Sequence, residues 1–227
     1  MIRKLTLCAL LAMVGIGANA QNDWGNFGRY EKSNAEVIKQ PQSARKAVFM
    51  GNSITDNWAS RRPVFFKENG YVGRGIGGQT SYQMLLRFRE DVVKLQPKVV
   101  VINAGTNDIA QNNHPYVEDR TFGNIVSMCE IAKANNIKVI LTTITPCAHY
   151  NWRPDITDST VKIKSINKRL QEYAKKNGLL FVDYFSAMAD ENGAMRAGLS
   201  DDGCHPTPDG YAIMEPMIKE AIQKYVK

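Results

Sequence analysis

The chain has 227 residues and is poor in the side chains that build metal sites and disulfide scaffolds. Its three histidines, His114, His149 and His205, are scattered without ligand spacing, so neither a zinc site nor any other cofactor is expected. Of its four cysteines, Cys8 lies at the extreme N-terminus; Cys129, Cys147 and Cys204 allow one internal disulfide at most. Cys129 sits in the helical pattern GNIVSMCEIAKANN beside Ile125, Val126 and Ile131 and reads as a buried, inert thiol. Cys147 and Cys204 fall in loops, where a disulfide between them and two free thiols are both open. A clustered basic patch with interleaved aromatics is missing too, which argues against nucleic-acid binding. The lysines and arginines instead follow solvated helix faces, as in KIKSINKRLQEYAKKNG, where Ile163, Ile166, Leu170 and Tyr173 turn inward.

Long hydrophobic runs are also lacking, with one short exception. Arg3 and Lys4 precede the apolar run LTLCALLAMVGIGA, and the following ANA offers small residues for cleavage before Gln21. The run falls short of the roughly 20 apolar residues of a spanning helix. Residues 1–20 are therefore expected to be a signal peptide, with export to the periplasm or beyond and no stable membrane insertion after cleavage. Cys8 follows Leu7 rather than a small residue, so a lipid anchor there is not expected. Loss of Arg3 and Lys4 lowers the formal charge from +7 to +5. With 44% hydrophobic residues, the remainder suffices for one domain with a full core.

Residues 21–45 read as a polar, irregular lead-in, and residues 46–227 as the domain. Short β-branched runs, KAVFM, YVGRG, KVVVINA, KVILTTIT and LLFVDY, alternate with longer helical patterns at 81–96, around Cys129, from Ser159 to Asn177 and at the C-terminus. Near-continuous apolar strands separated by helices predict a parallel sheet covered on both faces. Ligands of such sheets bind at the carboxyl ends of the strands. There the chain places GNSITD, GRGIGGQTS, NAGTNDIA and TPCAHYNW, and it adds SDDGCHPTPDGY before the last helix.

Gly73, Gly75 and Gly78 form a Gly-x-Gly-x-x-Gly match, but it follows the second strand, and the next strand ends at Asn103 rather than an acidic residue. A dinucleotide fingerprint needs the opposite on both counts. Ser53 is open to two readings. At a helix start it can cap orphan amides, or it can be a nucleophile if a base stands within reach and a third group orients that base. His205 has Asp202 three residues before it, a spacing that lets the carboxylate accept the Nδ1 proton and leaves Nε2 facing outward. Asp201 is the rival partner, at four residues.

Taken together, these blocks resemble the SGNH, or GDSL-like, hydrolase family, over about residues 46–225. GNSI resembles the nucleophile block, with Ser53; GIGGQTS the second, with Gly78; GTND the third, with Asn107; and DGCHPTPDGY the last, with Asp202 and His205. The resemblance implies a flavodoxin-like three-layer α/β/α sandwich with about five parallel strands. It implies Ser53, Asp202 and His205 as catalytic residues, and an oxyanion hole from the backbone N–H groups of Ser53 and Gly78 and the side chain of Asn107. One departure is that Asn52 stands where the family motif has aspartate. The acetylhydrolase-like character of the blocks implies a small ester or acetylated carbohydrate as substrate. Tyr150, Trp152 and Arg153 are candidate sugar contacts, while Trp58 reads equally as core. A lysophospholipase or thioesterase of longer acyl chains is the alternative, and a non-catalytic carbohydrate-binding module a third reading.

Overall fold

The computed structural model describes residues 23–226, so the expected signal peptide lies outside the described residues. Five strands, β1 (Ala47–Gly51), β2 (Tyr71–Gly75), β3 (Val99–Ile102), β4 (Lys138–Thr142) and β5 (Leu180–Val182), form one sheet in the order β2-β1-β3-β4-β5. Every neighbouring pair is parallel, with Val48 opposite Val72 on one side and Val100 on the other. This is the flavodoxin-like strand order, whose switch point lies between β1 and β3.

Successive residues of a strand point to opposite faces, and here both faces are covered. Val48 and Met50 face a layer built by α4 (Ser81–Asp91), α6 (Glu118–Ala134) and α7 (Ser159–Asn177), through Met84, Phe88, Ile125, Met128, Ile163 and Ile166. Ala47 and Phe49 face α2 (Ser53–Arg61), α3 (Pro63–Asn69) and α9 (Pro208–Val226), through Ile54, Trp58, Phe66, Met214 and Ile218. Trp58 is core, stacked between Phe65 and Tyr211. Burial on both faces is why the strand runs read as continuously apolar. Among the described residues, no helix is long and apolar enough to cross a membrane.

One expectation needs correction. The lead-in is not irregular: it carries a short 3-10 turn and a helix, α1 (Glu31–Lys39), fastened to the domain by polar contacts. Tyr30 donates to the carbonyl of Gly75, and Asn34 joins the Asp91 carboxylate (2.7 Å) to the Arg74 guanidinium (2.8 Å). The one buried residue of α1 is Asn34, with Val37 partly buried against the core, so polar side chains do most of the fastening. Of the two states left open for Cys147 and Cys204, the structure has free thiols, both buried. The Cys147 thiol points to the carbonyl of His149 (3.1 Å), and burial, with Cys204 beside it, pushes its ionisation far up.

The glycine pattern has a packing role at Gly75. A side chain there would meet the backbone of Asp56 and Asn52 at 2.2 and 2.6 Å, so only glycine lets the end of β2 lie against the start of α2.

Candidate active site

β1 delivers the chain to the carboxyl edge of the sheet, where α2 starts at Ser53. The cap of this helix is Asn52, not the serine: its Oδ1 accepts the Ile54 N–H at 2.9 Å. Asparagine satisfies an orphan amide as aspartate would, which accounts for the departure at this position. The Ser53 hydroxyl is thereby left for other work and lies 2.8 Å from His205 Nε2.

His205 sits in the loop before α9. Its Nδ1 is 2.6 Å from Asp202 Oδ2, while Asp202 Oδ1 accepts the N–H groups of Cys204 (2.9 Å) and His205 (2.7 Å) and the hydroxyl of Ser200 (3.0 Å). Partial burial pushes the Asp202 carboxyl up, but these hydrogen bonds outweigh it and hold the carboxyl well below the usual range. Asp201, the rival, is exposed. Since His205 Nδ1 faces a carboxylate, that nitrogen carries the proton, and Nε2 is left to accept from the serine.

Gly78 follows β2 with φ +75°, a left-handed turn that favours glycine, and it is exposed; its neighbour Gly77 is the one that faces Ser53, a side chain there falling 4.0 Å from Ser53 Cβ. Its carbonyl accepts Asn112 Nδ2 (3.0 Å). Asn107, in α5 (Thr106–Ile109), is buried, and one of its amide protons goes to the carbonyl of Gln79 (2.9 Å). The same side chain retains a second donor proton. The next residue, Asp108, accepts the backbone N–H (2.9 Å) and hydroxyl (2.5 Å) of Ser81, clamping the start of α4 to α5. Burial raises its pKa, against those hydrogen bonds.

Sequence reasoning missed the residue beneath this rim. Arg87 of α4 is fully buried and donates to the carbonyls of Gly51 (3.0 Å) and Arg74 (2.9 Å), to Gln79 Oε1 (2.6 Å) and to Asp91 (2.8 Å). It thus ties the residue two before Ser53 to the residue after Gly78. The signal for it was an arginine in the middle of an apolar helix face, in MLLRF, where a solvated charge is out of place.

The expected sugar contacts fare unevenly. Tyr150 is completely buried behind the Trp152 ring and is not a surface contact. Arg153 lines the groove, but its guanidinium is committed to Asp155 and to the carbonyls of Ala110 and Gln111. Trp152 is exposed in that groove, 5.8 Å from the His205 ring. His114 packs on Tyr82 with its Nε2 3.7 Å from Asp108, and His149 packs on Gly203. Among the described residues, no three His, Cys, Asp or Glu side chains come together as a metal site.

A hydroxyl, an imidazole and a carboxylate in hydrogen-bonded series, with a left-handed glycine and a buried amide alongside, is machinery for acyl transfer. The model of the GDSL-like Lipase/Acylhydrolase family matches residues 49–213, which span all of these groups. The chain belongs to that family. It is accordingly a carboxylic ester hydrolase in chemical class. The crystal structure of a GDSL-like lipase from Bacteroides thetaiotaomicron is similar, with 54% identity and a TM-score of 0.86 over 89% of this chain and 99% of that one. An acetylxylan esterase of Xylanibacter ruminicola is 24% identical over 87% of this chain, which spans only 46% of that protein's length. A thioesterase, protease and lysophospholipase of Escherichia coli is 25% identical over 76% of this chain and 73% of its own.

Proposed function

We propose that the protein is an exported serine esterase that removes short acyl groups, acetyl above all, from carbohydrate hydroxyls through an acyl-enzyme. The observation that carries this reading is the unbroken chain Ser53 Oγ, His205 Nε2, His205 Nδ1, Asp202 Oδ2, at 2.8 and 2.6 Å.

In this reading His205 takes the Ser53 proton as Oγ attacks the ester carbonyl, and Asp202 holds the tautomer and stabilises the imidazolium. The oxyanion gathers proton donors from the N–H groups of Ser53 and Gly78 and the free amide proton of Asn107. His205 then gives its proton to the departing sugar alcohol. Water, deprotonated by the same histidine, releases the acid and restores Ser53.

A short acyl group is favoured by the open groove beside Gly78, which mixes side-chain amides with the Trp24 and Trp152 rings. The Xylanibacter relative, an acetylxylan esterase, is in keeping with this reading, and the Escherichia coli thioesterase and lysophospholipase with longer chains. Export rests on the basic and apolar pattern of residues 1–20.

Hydrolysis of p-nitrophenyl acetate, butyrate, octanoate and palmitate, with Ser53→Ala in parallel, tests the proposal. Serine-dependent activity that falls with acyl length supports it. Activity that rises with length replaces it with a lysophospholipase or thioesterase. Absence of serine-dependent turnover and of fluorophosphonate labelling at Ser53 leaves a binding module.

A further inference from the structure

The chain has three tryptophans; Trp58 is core, while the other two, Trp24 and Trp152, are 46% and 40% exposed and line one groove of about 610 Å³ beside Gly78. Solvated indoles are costly to leave uncovered, and that volume lies within the roughly 300–1,000 Å³ of ligand sites. Trp24 comes from the lead-in, outside the residues matched by the family model.

Both tryptophans are tied to the segment around Gly78. Gln83 donates to the carbonyl of Trp24 (2.9 Å) and Gln79 to that of Gly25 (3.0 Å), so the backbone under Trp24 hangs from residues one and five places beyond Gly78. On the other element, Trp152 Nε1 donates to Asn112 Oδ1 (2.9 Å), and Asn112 Nδ2 holds the Gly78 carbonyl. Trp24 is thus anchored at its backbone and Trp152 at its ring, which lowers the entropy that binding must overcome.

The rest of the lining fixes the chemistry. Asn26, Gln79, Gln83, Asn112 and Asn113 are neutral amides, Ile76 is the one aliphatic side chain, and Asp23, whose carboxylate accepts the Gly28 N–H (3.0 Å), is the one acidic group. Amides pair with hydroxyls as donor and acceptor, and an indole offers an apolar face to the C–H side of a pyranose ring. Gln83, Asn112 and Asn113 each spend one amide proton within the protein and keep a second, which a sugar hydroxyl can accept and an acyl chain cannot. The Arg153 cation is matched by Asp155, so no free charge invites an anion.

We infer that this groove binds a run of neutral sugar units extending from the acetylated one, and that Trp24 sets the preference for oligosaccharide over monosaccharide esters. This rests on the esterase reading of Ser53. The site would thereby be assembled from two parts of the chain, the hydrolase scaffold and the lead-in strapped to it.

The experiment compares kcat/KM on p-nitrophenyl acetate with that on O-acetylated gluco-, xylo- and manno-oligosaccharides of one and four units, for wild type, Trp24→Ala and Trp24→Phe. At least one four-unit series should exceed its monosaccharide about tenfold. Trp24→Ala should lose most of that gain, chiefly through KM, and Trp24→Phe should keep a good part of it. No gain with length on any series, or a Trp24→Ala loss equal on p-nitrophenyl acetate and oligosaccharide, overturns the inference while leaving the esterase intact. Failure of the esterase reading shows separately, as p-nitrophenyl acetate turnover indifferent to Ser53→Ala. In that event, titration of Ser53→Ala with deacetylated four-unit oligosaccharides decides the groove. A saturable change in tryptophan emission, at least halved by Trp24→Ala, supports it; a flat titration overturns it.

Discussion

Arg87 Nη2 donates to the carbonyl of Gly51 at 3.0 Å, so a fully buried cation holds the last strand residue before the Asn52-Ser53 turn. The same guanidinium reaches Gln79, Arg74 and Asp91. A planar fork serves several acceptors at once, which an ammonium cannot. Replacing it leaves the Asp91 carboxylate buried without its partner. Arg87→Met should therefore cost about 3–5 kcal/mol in urea unfolding. Arg87→Lys should recover only part of this, and equal stability of all three proteins would contradict the network.

Asp202 tests the orienting carboxylate. Asp202→Asn should lower kcat by about 10⁴-fold, since an amide can neither fix the productive tautomer nor balance the imidazolium. Because folding depresses this pKa, its contribution to stability is complete above the unfolded value of about 3.9 and is lost as pH falls below it. The stability gap between wild type and Asp202→Asn in denaturant titrations should accordingly close on acidification below about pH 4. A gap unchanged across that range would show that the carboxylate gains nothing from its fold partners.

Asn107→Ala removes the proposed oxyanion donor and also frees the carbonyl of Gln79. Turnover should fall on the order of 10²- to 10³-fold with little change in KM. A raised KM at unchanged kcat would mark Asn107 as a binding residue instead.

Free-thiol titration checks the cysteines. The leader-free protein, denatured without reductant, should yield three thiols, from Cys129, Cys147 and Cys204. One thiol would mean that Cys147 and Cys204 pair after all.

Gly75→Ala should destabilise the fold, because the added carbon falls 2.2 Å from the Asp56 amide nitrogen and backbone must give way on both elements. Thermal unfolding measures the loss; an unchanged midpoint would mean that α2 can back away from β2 freely.

The parallel sheet was legible because strands buried on both faces must be apolar throughout, and all five such runs became strands. The blocks holding Ser53, Gly78, Asn107, Asp202 and His205 were legible because each is a short local pattern at a strand or loop end. Sequence could also offer Asp202 for His205, since three residues of turn bring them together. The tertiary structure decided what depends on distant contacts. It made Asn52 the helix cap, brought Ser53 to a histidine 152 residues away, and buried Tyr150 while leaving Trp152 open. It also made the lead-in a helix and a groove wall. Those elements are held by side-chain amides and guanidinium groups whose partners lie far along the chain, so no local spacing records them.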